Sequence, residues 1–208
     1  GYFRRYFASQ KHPGGEIGVK NIIENKKSDE ILSGTKEHAY VVAVKINAVN
    51  NERTNETVKN TLYMAKNSGA RVYIDGDYKL IILAPKLTRK AENGFTAVTI
   101  AKKVEEILNK HNGQYREKIK FGIGINDGEI ISEISNNQFK FTTTGGLISA
   151  AKRIAQSESM KILLSESSNS RLRGAVKTQK SSYGNYWEII NVPDRTQYKD
   201  FLDRFNKN

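Results

Sequence analysis

The 208-residue chain contains no cysteine, so disulfide frameworks and thiolate metal sites are excluded. That absence fits an intracellular location. Its three histidines, His12, His38 and His111, lie far apart and show no metal-ligand spacing. No Ser-His-acid grouping stands out, so nothing in the sequence points to nucleophilic catalysis. No apolar run approaches the roughly 20 residues that cross a bilayer, and no secretory signal pattern is present. There is no Gly-x-x-x-x-Gly-Lys, which excludes a P-loop. Proline occurs only three times: Pro13 lies in a Pro-Gly-Gly loop, Pro85 stops a strand and Pro193 breaks the last one.

Basic charge is abundant. Lys and Arg number 34 against 22 Asp and Glu, a formal net charge of +12. Such a balance suits an anionic partner: nucleotide, nucleic acid or acidic membrane. The densest uncompensated run is Arg171, Arg173, Lys177 and Lys180, with no acid among them. The chain opens Gly1-Tyr2-Phe3-Arg4-Arg5-Tyr6-Phe7, aromatics interleaved with arginines, a pattern suited to a membrane-water interface. From it we expect an excised fragment with a membrane contact through a segment upstream of residue 1; the alternative is an arm packed on the domain.

Residues 1–37 read as an N-terminal arm, loop-rich, with a short helix near Val19–Glu24. Residues 38–192 read as the folded domain, and 193–208 as a C-terminal helix or tail with Tyr198, Leu202 and Phe205 on one side. Within the domain, Ala39 to Ile46 is short, β-branched and almost uncharged, a buried strand. A helix capped by Thr54 or Asn55 runs to about Asn67. Asp75-Gly76-Asp77 joins two strands, Arg71 to Ile74 and Tyr78 to Leu83. Phe95, Val98, Ala101, Val104 and Leu108 form one face of a long helix ending at Asn112-Gly113.

The most informative stretch is Lys120 to Ile154. Phe121, Ile123 and Ile125 alternate with Gly122 and Gly124, and Asn126-Asp127-Gly128 predicts a hairpin turn before a strand with Ile130, Ile131 and Ile134. Asn136-Asn137 marks another turn, Phe139 to Thr144 a third strand, and two glycines lead into a helix with Leu147, Ala151, Ile154 and Ala155 on one face. A short strand at Met160 to Leu164, a helical turn at Ser165 to Ser170 and a strand from Gly184 to Ile190 with a core Trp187 complete the domain. The order predicts an α+β fold: a ferredoxin-like core, its sheet largely antiparallel, with helices packed on it.

This order resembles the catalytic domain of class III adenylyl and guanylyl (nucleotidyl) cyclases over about Tyr40 to Trp187. In that family two Asp hold two metal ions that activate a ribose hydroxyl and bind the triphosphate. The resemblance places Lys45 at the first Asp and Asp77 at the second, and we expect Lys45 and Asp77 to pair in place of the lost metal. The purine-reading positions fall on Tyr73 and Thr142. The transition-state pair Asn-x-x-x-Arg becomes Ser149 and Arg153. Without the family, Thr142 to Gly146 running into a helix N-terminus suits an anion, with Gly145 in the loop.

The resemblance therefore implies a degenerate cyclase-like domain acting as a regulatory or dimerisation module, binding a nucleotide or other anion without cyclising it. The alternative is an active purine nucleotidyl cyclase, alone or with an intact partner chain. No cofactor is expected, with Mg or Mn entering only under the cyclase reading. The expected partner is a second copy or an intact cyclase-like chain, and the location cytoplasmic or on the cytoplasmic side of a membrane. An RNA-recognition module ranks below both, because Lys120 to Asp127 lacks the strand aromatics that stack bases.

Overall fold

The computed structural model describes residues 34–143 and 145–193, together with the backbone of two short strands, Arg4–Phe7 (β1) and Ile23–Glu24 (β2). The domain begins with β3 (Thr35–Asn47), α1 (Glu52–Asn67), β4 (Arg71–Asp75), β5 (Tyr78–Leu83), α2 (Pro85–Thr88) and α3 (Gly94–Gln114). It continues with β6 (Lys120–Ser135), β7 (Gln138–Thr143), α4 (Leu147–Ala155), β8 (Ile162–Leu164), α5 (Glu166–Arg171), β9 (Lys177–Lys180) and β10 (Trp187–Asn191). The predicted α+β class, with helices packed on a largely antiparallel sheet, is what forms.

The sheet runs β2-β1-β7-β6-β3-β5-β4, with β8, β10 and β9 continuing from β6. Among the described strands only β8 pairs in parallel, Ile123 to Ile125 of β6 against Ile162 to Leu164. The two longest strands, β3 and β6, are paired along thirteen positions from Thr35↔Ser132 to Asn47↔Lys120. One core lies on the face where Val42, Val44, Phe121, Ile123 and Ile125 meet α1 and α3. The other lies where Ala39, Val41, Ala43, Tyr73, Leu80, Ile82 and Ile130 meet α4. Alternation along each strand sorts side chains between the two.

The expected hairpin turn at Asn126-Asp127-Gly128 is not there: β6 passes straight through it as one strand of 16 residues. The reason is that the polar side chains are satisfied in place. Asn126 Nδ2 donates to Leu147 O at 3.1 Å. Asp127 accepts from Ser168 Oγ at 2.6 Å and Ser167 Oγ at 3.0 Å. Turn chemistry is only a local bias, and tertiary partners override it.

Other boundaries move for similarly local reasons. Asn51 caps α1, its Oδ1 accepting from Thr54 N at 2.9 Å, so the helix starts before the expected caps Thr54 and Asn55. Gly76 takes φ 58° in the β4–β5 turn, and Asn136 and Asn137 take φ 52° and 58° between β6 and β7, as turn residues that tolerate the left-handed region do. The arm contributes β1, which pairs with β7 through Arg5↔Thr142 and Phe7↔Lys140. Ile23 and Glu24 form a strand where a helix near Val19–Glu24 was expected. The rest of that stretch, and the expected helix over 194–205, lie outside the described residues. The basic run includes a strand, β9, that the sequence reading left out.

Candidate functional site

The α4 face of the sheet carries most of the positions singled out in the sequence. Two glycines set it up. A Cβ at Gly122 would sit 1.9 Å from Ala155 O, and one at Gly124 would sit 2.5 Å from Ala151 O. The helix backbone therefore lies directly on β6, and only residues without a side chain permit it. Leu147, Ile148, Ala151, Ile154 and Ala155 are buried beneath the helix. Ser149 and Arg153 are left on its exposed side.

Lys45 stands on β3 opposite Tyr78 of β5 and Gly122 of β6. Its ammonium does not pair with Asp77, as the sequence reading expected. It meets Glu158, in the turn after α4, at 2.8 Å. That hydrogen bond to Glu158 is the main reason the Lys45 pKa is raised above its ordinary value, and Asp77 adds only the weakest push. The Glu158 carboxyl is held below its ordinary range chiefly by the hydrogen bond from Lys45, against an opposing effect of burial, with lesser help from Asn47 and the Lys120 charge. Asp77 is exposed in the β4–β5 turn, and its backbone carbonyl accepts from Ile46 N at 2.9 Å.

A second ion pair was not foreseen. Lys152 of α4 reaches Asp75 at 2.6 Å and lies 4.9 Å from the centre of the Tyr78 ring. Lys45 and Lys152 therefore flank Tyr78, and each is held by a carboxylate. The signal in the sequence was only that Lys152 precedes Arg153 on the helix.

Tyr73 is buried at 1 % exposure, edge-on to Phe141 with ring centroids 5.7 Å apart. Burial raises its hydroxyl pKa. Thr142 pairs with Ile131, whereas Thr143 pairs with Ile130 of the α4-side core. By strand alternation Thr142 lies on the opposite face from Tyr73 and Lys45, so the structure does not bring the two purine-reading positions together. Gly145 is exposed and its carbonyl accepts from Leu147 N at 2.8 Å, which uses one donor of the helix N-terminus. Ser149 Oγ donates to Gly146 O at 3.2 Å. Among the described residues no three of His, Cys, Asp and Glu converge in a metal-holding group.

The other sheet face holds a polar cluster that sequence reasoning missed. The Asp127 side chain is 1 % exposed, with Arg171 Nε at 3.1 Å and His38 Nε2 at 2.9 Å from its Oδ2. His38 Nε2 makes this approach without lining up a hydrogen bond. Both serine hydroxyls donate to the aspartate and none to His38, so Ser, His and Asp are present here without the relay that activates a nucleophile. Nearby, Tyr40 is pushed up to about 12 by burial and, secondarily, by the Asp127 charge.

This sheet, its two helical faces and α4 laid over Gly122 and Gly124 make the fold of class III adenylyl and guanylyl cyclase catalytic domains. The chain is similar to the adenylyl cyclase CyaB from P. aeruginosa, at TM-score 0.57 and 14 % identity over 78 % of this chain and 98 % of that one. It is also similar to the guanylate cyclase domain of RhGC from Catenaria anguillulae in complex with GTP, at TM-score 0.60 and 18 % identity over 77 % and 100 %. The non-canonical dimeric guanylyl cyclase domain of the RhoGC fusion protein from the aquatic fungus Blastocladiella emersonii superposes at TM-score 0.59, with 17 % identity over 76 % and 99 %. No family model and no curated protein matches the chain.

Proposed function

We propose that this is a nucleotidyl cyclase-like domain that does not cyclise, and that it serves as a regulatory or dimerisation module able to hold a nucleotide or other anion. The observation that carries this reading is the Lys45–Glu158 pair at 2.8 Å. The family resemblance asks for a carboxylate at position 45 to hold a divalent ion. A protonated ammonium repels such an ion and has no lone pair to offer it. Asp75, the other carboxylate on the β4–β5 hairpin, is engaged by Lys152. Among the described residues of this hairpin Asp77 alone is left for a metal, and a two-metal centre needs more donors than that. The donor set does not fit the metal pair.

Two lysines of the face are matched, Lys45 by Glu158 and Lys152 by Asp75, with Asp77 and Arg153 left exposed on hairpin and helix. Those last two residues support the second reading, an active purine cyclase working with an intact partner chain that completes each site. As a partner we propose a second copy or such an intact chain, and as a location the cytoplasm or the cytoplasmic side of a membrane. Among the described residues no helix is long and apolar enough to cross one.

The test is calorimetric titration with ATP and GTP, each with and without manganese, beside an assay for cyclic nucleotide. Metal-independent binding without turnover is the expected result. Manganese-dependent turnover by the purified chain overturns the proposal in favour of the second reading.

A further inference from the structure

The Glu158 carboxylate takes two donors at one end of the central strand pair, with a further basic side chain on the same strand face. Lys45 Nζ is 2.8 Å from its Oε1. Asn47 Nδ2 donates to both of its oxygens at 3.3 Å. The Lys120 charge acts on it as well. The three side chains come from the two best-paired strands of the fold: Asn47 and Lys120 are cross-strand partners, and Lys45 lies two residues from Asn47 on the same face of β3. They are therefore placed by the rigid centre of the sheet, while the acceptor arrives from a turn.

That turn is an unusual one. Glu158 has φ 49° and Met160 φ 59°, two residues other than glycine in the left-handed region within three positions. Such a backbone is costly and persists only where surrounding contacts impose it. Here the contacts are Met160 N to Phe121 O at 2.9 Å, Glu158 N to Ala155 O at 3.2 Å, and the side-chain tie itself. The site is accessible, with the Lys45 and Glu158 side chains 21 % and 20 % exposed.

Charge on this strand face is unbalanced: Lys45 and Lys120 both lie on it, against the one carboxylate of Glu158. A phosphate dianion offers more charge and three oxygens, enough for Lys45, Asn47 and a Lys120 side chain turned toward it, so it suits this face better than the carboxylate does. We infer that Lys45, Asn47 and Lys120 form an oxyanion site whose ligand is a phosphate or polyphosphate group, bound without a metal, and that Glu158 of the same chain occupies that site until the ligand displaces it. The inference rests on the anion-binding part of the function proposed above. It adds which residues bind, which chemical group they take and what keeps the site closed.

The experiment is calorimetric titration of the whole chain with sodium tripolyphosphate in EDTA, for the wild type and for Glu158→Gln, Lys45→Gln and Lys120→Gln. Glu158→Gln keeps the size of the side chain and removes its charge. It is expected to bind tripolyphosphate at least about tenfold more tightly than the wild type. Adding Lys45→Gln to it is expected to cancel the gain, and adding Lys120→Gln to reduce it several-fold. Equal affinity of Glu158→Gln and the wild type overturns the inference, as does binding that ignores both lysine substitutions.

ATP and GTP in the same buffer separate two sources of the ligand. Tighter binding than tripolyphosphate means a nucleotide whose base adds contacts, and equal binding means the phosphate chain alone is read. Either result supports the site. If Glu158→Gln does not fold, hydrogen exchange of the wild type decides: tripolyphosphate is expected to speed exchange at Glu158 to Met160, and unchanged exchange on saturation overturns displacement. The manganese turnover assay fails or succeeds independently of these metal-free titrations, so the two proposals can fall separately.

Discussion

Gly122 has no side chain because Ala155 O occupies the place a Cβ would take, at 1.9 Å. The obstacle is backbone, so it cannot rotate aside. Gly122→Ala is expected to cost about 3 kcal/mol, read from urea unfolding, because α4 must lift from the sheet. Gly113, in the last turn of α3, meets nothing within 4 Å, and Gly113→Ala is expected to stabilise by about 0.5 kcal/mol in the same measurement. Asp127 represents the opposite case, a buried charge held by Arg171 and two serine hydroxyls. Asp127→Ala strands the buried Ser168 hydroxyl while the half-exposed Arg171 and the exposed Ser167 turn to water, and a loss of about 1–3 kcal/mol is expected. Glu158 and Lys45 give a pH signature. The depressed Glu158 pKa makes its contribution full above the unfolded carboxylate value and lost as pH falls through the lower folded one. The raised Lys45 pKa makes its contribution full below the unfolded lysine value and lost as pH rises through the higher folded one. The stability difference between wild type and Glu158→Gln should therefore stay flat from about pH 5.5 to pH 9 and shrink at both ends. A difference that grows toward acid would contradict the ion pair.

Elements differ in how many partners hold them. Strand β3 is paired on two sides through its middle and β6 on two sides along Ile123 to Ile125 and Ile130 to Ser132, with a helix over each face. By contrast β9 pairs only with β10 and is mostly exposed. Native-state hydrogen exchange should find Val42 and Ile125 opening only with global unfolding, and Gln179 opening locally and far faster. The same contrast explains what was legible in the sequence. Val41 to Val44 and Leu80 to Leu83 declare themselves as short unbroken apolar runs, because both faces of the sheet are covered, and α3 by its helical period. The Asp75-Gly76-Asp77 turn was legible because its conformation is local, with Gly76 at φ 58°. Asn126-Asp127-Gly128 looked the same and misled, since its partners are Leu147, Ser167 and Ser168, distant in sequence. Lys45 was legible as a departure from the family pattern, but its partner was not. Glu158 is 113 positions away, on a turn whose left-handed φ no local signal announces. The glycines of β6 were visible, and their purpose was hidden until α4 was seen resting on them.

On the scale of the whole molecule the dominant quantity is the net charge of +12. If the partner is a second copy of this chain, two such charges must be brought together, and their repulsion opposes assembly. Added salt screens it: the Debye length falls from about 10 Å at 0.1 M to about 3 Å at 1 M. Apolar contacts in an interface do not weaken as charges are screened, and sulfate-type salts strengthen them. Self-association followed by sedimentation velocity should therefore tighten several-fold as NaCl rises from about 0.05 to 0.5 M, with the dimer favoured at high salt. A partner chain that binds because it is acidic gives the opposite slope, since screening then removes an attraction and slows the encounter. The sign of the salt dependence thus separates the two partners before either is identified. A self-association that weakens with salt would mean that the surfaces in contact are electrostatically complementary despite the net charge, placing the acidic residues of one copy against the basic ones of the other.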